Sequence, residues 1–408
     1  RLVGSEMCIR DKVYPYLRGV ADFWEKDLVC RDGVYHVVGD GMHERTDGNI
    51  RDNGVPEDPV NTLGYLKTFF TWMPRISEAL DLDEKKREKW LEIAENLAPY
   101  PKGTIREIQE NPTLWKEVDV KLEDLLPEEM LDKEIYYDEG IGGKWSFHFP
   151  GNVMQIYPGN AIGLGSAPEE LEVARNTVQI HALVENALGE LEYRKALEEA
   201  EFADKDNANN LLFNSNGELE NGEAYSNGME SGGVKNPHFY KAGAFNASNL
   251  SCLFFTAAVR VGYAPEIIWK EMRDMILNRG IPNGFLKENP HGIEQLNTIP
   301  DAIQEMMLQS CEGMIRIFPV WPRAEHPNAF FRNFRAWGGL EVSAALKDGE
   351  VERVSILSHK GHPCRVENPW PGKSVKVSYE YGRPDEVHFG EYLNIELYKE
   401  EHAELFRI

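Results

Sequence analysis

The spacing of the apolar residues changes once along this chain, near Arg316, and that change limits the folds open to it. Upstream, apolar side chains recur at spacings of three and four. This predicts helices at Tyr14–Cys30, Val60–Leu82, Glu84–Leu97, Pro168–Leu188, Ala244–Val261 and Pro265–Asn278. No alternation of strand and helix signals a parallel sheet, so helices packed on helices are expected, as a bundle, a solenoid or a helical barrel. The lack of a fixed-period repeat weighs against the solenoid. Downstream, Leu340, Val342, Ala344 and Leu346 alternate, and Lys347-Asp348-Gly349 turns the chain into a second strand, a hairpin pattern. Strand-like runs at Cys364–Val366, Val375–Tyr381 and Leu393–Leu397 extend it to a small antiparallel sheet domain, most simply a sandwich.

Between the helical segments lie long loops, "GDGMHERTDGNIRDNGVPEDP" and "YYDEGIGGKWSFHFPGNVMQIYPGN", rich in Trp, His, Asp, Glu and Asn. Long loops in compact domains are usually functional or disordered, and the aromatic content argues against disorder. Carboxylates and aromatics beside helices and a short β domain point to carbohydrate chemistry. Sugar C–H faces stack on Trp and Tyr, and sugar hydroxyls bond Asp, Glu, Asn and His. Nine tryptophans allow this, although a single tryptophan is more often simply core. The net charge of −24 argues against nucleic acid or anionic membranes as partners, since either would require a basic face, and no apolar run approaches the ~18 residues of a membrane span.

Neither a cofactor nor a metal is expected. Of five cysteines, Cys30, Cys252, Cys311 and Cys364 lie far apart with no CxxC, which reads as isolated core thiols. A metal reading of His36, His43 and Glu44 lacks HExxH or any comparable spacing. Asn246-Ala-Ser248 and Asn249-Leu-Ser251 match glycosylation acceptors, a tripeptide that arises often by chance. The first residues, with Cys8 among them, read as foreign. "LVGSEMCIRD" has no helical or strand period and no apolar leader region, and its reverse translation resembles a library adapter read through into an open frame. Residues 1–11 are therefore set aside as an artefact. The native chain is then expected to extend further upstream, in a periplasmic or secreted parent.

In "HGIEQLNTIPDAIQEMMLQSCEG", Thr298-x-x-Asp301, Pro300 and Gly313 have the marks of a helix start and stop. Glu294 precedes them and is not explained by them. "YPYLRGVADFWEKDLV", "YHVVGDGMHER", "YPGNAI", "IQEMMLQSCEGMIRIFPVWP" and "RAWGGLEVSAALKDGEVERVSI" occur in that order. Together they resemble glycoside hydrolase family 95, over nearly all of residues 13–370. The resemblance implies a mainly α fold, a six-hairpin (α/α)6 barrel over residues 12–328 that is incomplete on its N-terminal side, and a β-sandwich over 329–408. It implies α-L-fucosidase- or α-L-galactosidase-like hydrolysis with inversion, acting on terminal α-linked sugars. The matched acid is Glu44, with Asp40 as a competitor. Glu294 matches an aspartate that polarises an asparagine base, and that base is expected upstream of Tyr14, so that this length of chain alone is expected to be inactive. Asp40, His43, Trp145, His148 and Asn152 are the expected sugar-binding residues. Glu44 and Glu294 are expected to face one pocket at about the inverting separation. His43 beside Glu44 would lower its carboxyl pKa, and burial would raise it. The alternatives are a carbohydrate-binding protein that lost the chemistry, and a phosphorylase, for which no anion pocket is evident.

Overall fold

The computed structural model describes residues 9–40, 56–110, 122–138, 151–183, 251–279 and 298–408. Its contacts divide the chain into two compact units, Arg1–Ile162 with Ser166–Leu188, and Gly163–Gly165 with Gly189–Ile408. Helix accounts for 42% and strand for 25%, with nine helices among the described residues and a six-stranded antiparallel sheet. The expectation of a mainly α, (α/α)6 barrel is therefore incorrect. Six hairpins need about a dozen helices of comparable length. Several of the segments between the long helices instead close as short strand pairs, which a search for spacings of three and four does not register.

In the first unit, α1 (Tyr14–Asp27) begins with a proline in its first turn and lays Tyr14, Leu17, Ala21 and Trp24 along one face. It is followed by the hairpin β1 (Val29–Arg31) and β2 (Val34–His36), whose turn residues Asp32 and Gly33 have φ of 51° and 86°. Two left-handed residues make this a turn that matches strand twist. Helix α2 (Val60–Leu80) ends where Asp81 turns left-handed at φ 53°. The Asp81 and Leu82 N–H groups then close on the Glu78 and Ser77 carbonyls, capping the orphaned end. Helix α3 (Arg87–Glu95) packs on α2 and contributes Trp90, which is fully buried among Phe70, Met73 and Ile93. The Trp90 indole N–H donates to Glu25 at 2.8 Å, and Lys86 reaches the same carboxylate at 2.7 Å. A second cluster gathers Ile105, Leu131, Ile135 and Ile180 from α4 (Ile105–Glu110), α5 (Glu128–Leu131), β4 (Ile135–Tyr136) and α6 (residues 168–183). Strand β4 pairs with β3 (Lys102–Gly103). Arg10–Val13, which lead into α1, are exposed.

The second unit contains α7 (Ser251–Arg260), α8 (Pro265–Arg279) and α9 (Thr298–Met307). Arg260 on α7 grips Glu305 on α9 through two hydrogen bonds of 2.8 Å, nearly shut off from water. The pair β5 (Leu308–Gln309) and β6 (Arg316–Ile317) follows. Trp269 of α8 meets Trp321 edge-on at 5.4 Å, and Phe318 meets Phe331 at 5.4 Å, so the Phe-Pro-Val-Trp-Pro stretch is core. Strands β7 (Ala329–Ala336), β8 (Leu340–Lys347), β9 (Glu350–Ser358), β10 (Cys364–Glu367), β11 (Val375–Tyr379), β12 (Glu386–His388), β13 (Tyr392–Ile395) and β14 (Glu401–Arg407) complete the chain. The large sheet runs β12-β11-β14-β9-β8-β7, while β10 and β13 form a separate pair. Leu340, Val342, Ala344 and Leu346 point inward opposite Ile356 and Val354, as period-two alternation requires. The β8–β9 turn is Asp348-Gly349, at φ 51° and 81°. Edge strand β7 carries a bulge between Phe331 and Phe334, with Asn333 left-handed at φ 58°. A bulged edge resists pairing with other chains.

Cys311 and Cys364 are buried free thiols, the latter pushed up to about 12 by burial, whereas Cys30 is exposed rather than core. No helix among the described residues is long and apolar enough to cross a membrane.

Candidate functional site

Strand β2 continues into residues 37–40, and residues 56–58 return alongside them. The Gly39 N–H donates to the Pro56 carbonyl at 2.9 Å, the Asp58 N–H to the Val37 carbonyl at 2.8 Å, and Val38 bridges Glu57. Side chains lock the same neck. Asp58 accepts from the Val37 N–H at 2.9 Å and lies 2.8 Å from His36 Nδ1, and Arg31 forks onto Glu57 at 2.8 and 3.0 Å. The Arg31 guanidinium holds the Glu57 carboxyl below the usual range. Asp40, one of the expected sugar ligands, accepts from Thr62 Oγ1 at 2.6 Å, in the first turn of α2. The chain between residues 40 and 56 therefore leaves and re-enters through a clamped neck seated on a helix start.

His36, Glu57 and Asp58 place ligand-type atoms within 4.8 Å of one another. Each of them already has a partner, and a metal ion would have to displace the forked Arg31 from Glu57. Two acids spent on a neighbouring guanidinium and a histidine make a clamp rather than a metal centre.

Beside the neck lies a cleft of about 360 Å³. Leu63, adjacent to Thr62, forms one wall, and Leu97 and Ala98, which pair with Tyr35 of β2, form another. Tyr100 and Tyr136 line it edge to face, with ring centroids 5.7 Å apart. Lys67, Lys102, Glu169 and Glu170 supply the charge; the two acids also lie in the first turn of α6, where the helix dipole favours them. Lys102 pairs with Glu134 at 2.9 Å. Among the described residues the buried Tyr100 hydroxyl has no hydrogen-bond partner, and burial raises its pKa, which keeps it a proton donor. A buried hydroxyl left unpaired costs about 1–3 kcal/mol. A ligand oxygen at Tyr100 would recover it.

Asn152, also expected to hold sugar, is fully buried and lines neither this cleft nor the one described below. Its Nδ2 donates to the Tyr136 carbonyl at 2.9 Å, and its Oδ1 lies 2.6 Å from His181 Nε2. With Oδ1 as the acceptor, His181 carries its proton on Nε2. The Tyr136 N–H donates in turn to Thr177 Oγ1 at 2.9 Å. Asn152 therefore braces the strand that presents Tyr136. His43, Glu44, Trp145, His148 and Glu294 lie outside the described residues, as do the asparagines of both glycosylation tripeptides.

Sequence reading missed Tyr100, Tyr136 and Thr62. The available signal was the acid-proline step Asp58-Pro59 before an apolar helix, which marks a helix start next to a loop. Comparison with known proteins adds no relative: no protein-family model and no curated protein matches this chain.

Proposed function

We propose that the chain is a glycoside hydrolase acting by inversion on terminal α-linked fucose- or galactose-like residues, with Glu44 as the acid. The observation that carries this reading is the clamp. The segment that contains His43-Glu44-Arg45 is anchored through Asp40 to Thr62, and the next residue, Leu63, walls a cleft of single-sugar size with two tyrosines. Anchored loop ends reduce the entropy lost in placing a reactive side chain against substrate. Asp40, the competitor for this role, has a carboxylate oxygen committed to Thr62, which favours Glu44 of the two.

In this reading the terminal sugar enters the cleft with an apolar face against Leu97 and Pro99 and an oxygen accepting from Tyr100. Glu44 donates its proton to the departing glycosidic oxygen. In the resembled family a base-activated water then attacks the anomeric carbon from the opposite face, and Glu294 matches the acid that polarises that base. Hydrolysis of aryl α-L-fucoside, aryl α-L-galactoside and a wider glycoside panel by the longer parent, in which the base is expected, tests this. Glu44→Gln should lower kcat by about 10²–10⁴-fold. Tyr100→Phe should raise KM by about 5–10-fold, the worth of one hydrogen bond, without lowering Tm, because the hydroxyl has no partner to lose. Turnover unaffected by Glu44→Gln would overturn the assignment. Binding of these sugars without turnover by the unsubstituted parent would instead favour a carbohydrate-binding protein.

A further inference from the structure

The second unit carries a larger cleft, about 820 Å³, between the segment around Phe318 and the β10–β13 pair. Alternation along these two strands turns Cys364, Val366, Leu393 and Ile395 inward and leaves Arg365, Glu367, Tyr392 and Asn394 on the outer face. Tyr392 is 42% exposed, and Phe389, just before β13, is 75% exposed; both line the cleft. One exposed aromatic ring is ordinary, but two in one concave site with carboxylates beside them are not. The carboxylates are Glu367, one oxygen of which lies 3.7 Å from Arg316 Nε, and Glu391, both exposed.

The site is held in shape before any ligand arrives. Buried Asn368 donates to the Lys373 and Gly390 carbonyls at 3.0 and 2.9 Å and accepts from the Trp370 N–H at 2.9 Å. Gly390, at φ 126°, takes a conformation that a side chain would strain, and it fixes the chain next to Phe389. On the opposite wall Arg323 donates to the Phe318 and Gly349 carbonyls at 3.2 Å each. Among the described residues it has no carboxylate within ion-pair distance. Burial lowers its pKa, and the acid whose charge bears on it, Glu350, is itself paired with Arg407 at 3.4 Å.

We propose that this cleft binds an oligosaccharide. Two pyranose units stack on Phe389 and Tyr392, sugar hydroxyls donate to Glu367 and Glu391, and a sugar oxygen accepts from Arg323. Aromatic faces meet C–H groups, carboxylates meet hydroxyl donors, and a guanidinium held by backbone carbonyls meets an oxygen acceptor. A volume of this size suits more than one sugar ring. The proposal shares the carbohydrate chemistry of the preceding reading but uses a different site in a different unit.

Calorimetric titration of the full chain with neutral xylo- and galacto-tetrasaccharides and with oligogalacturonate tests it, carried out in the Glu44→Gln background so that no substrate is consumed. At least one of these should bind, and Phe389→Ala and Tyr392→Ala should each weaken it by tenfold or more. Phe330→Ala, which removes an equally bare ring (65% exposed) on β7, should leave affinity unchanged. Circular dichroism must show both cleft variants folded; if Tyr392→Ala unfolds, Phe389→Ala alone decides. Binding of none of the three at millimolar concentration overturns the inference, as does binding insensitive to Phe389→Ala. Hydrolysis lost in Glu44→Gln while Phe389-dependent binding persists supports both readings. Phe389-dependent binding without hydrolysis by any form supports this one alone.

Discussion

His181 is the residue on which the first unit's acid stability turns. It is fully enclosed, bonded to Asn152, and burial holds its pKa down to about 3 against an ordinary value near 6.5. The unfolded chain therefore takes up a proton in a range where the folded chain does not. Stability is complete above about pH 6.5 and falls as pH drops toward the folded value, by about 1.4 kcal/mol per unit. His181→Gln, which keeps a donor toward Asn152 Oδ1 and does not titrate, should flatten the dependence of urea-unfolding midpoints between pH 6.5 and 4.5. A slope equal to that of the unsubstituted chain would refute this role. The same network shows the reach of sequence reading. Asn152 was legible as a special polar residue, but its partner lies 29 residues away on α6, and nothing in the sequence pairs them. An amide in an aromatic loop resembles a sugar ligand whether it faces a cleft or a buried imidazole.

Local chemistry at the level of elements was readable where one interaction dominates. Lys347-Asp348-Gly349 announces the β8–β9 hairpin because only left-handed turn residues match strand twist, and α2 starts where Pro59 and the apolar stripe say it should. Strand β14 was not readable, although it lies between β11 and β9 at the middle of the large sheet. Its inward residues are Glu401, Ala403 and Leu405, so a charge and a methyl stand where a period-two search needs large apolar groups. Glu401 is tolerated there because its carboxylate accepts from the Tyr398 N–H at 2.7 Å and from Arg383 at 3.1 Å. Glu401→Ala should destabilise the second unit by about 1.5–3 kcal/mol, the range for hydrogen bonds to a charged group. Arg383 keeps Glu386 at 2.9 Å, which limits the loss. Chemical denaturation measures it, and a change under 0.5 kcal/mol would show the pair to be incidental.

For the whole molecule, the division into two units with different titrating groups predicts unequal acid sensitivity. The barrel expectation failed at this scale, because helix periodicity is local whereas the count and pairing of elements depend on contacts across the chain. The units differ in what titrates. The first holds His181, whose window runs from about 6.5 down toward 3. Among the described residues the shifted carboxyls of the second are Asp385, lowered by Lys376 and Ser378, and Glu386, which burial raises but Tyr379, His388 and Arg383 together lower. A lowered carboxyl contributes stability above its unfolded value, near pH 4, that is lost only as pH falls through the folded one. Mild acid therefore reaches the first unit alone through these groups. Relief of self-repulsion works the other way, since a net charge of −24 shrinks on acidification. Most carboxylates stay ionised at pH 5, so that relief is small there, while His181 already costs about 2 kcal/mol. Hydrogen exchange at pH 5 and pH 7, corrected for the intrinsic rate, should show lost protection over residues 170–183 and unchanged protection over 340–358. Equal loss in both stretches, or loss first in the sheet, would mean that a group other than His181 governs the response to acid.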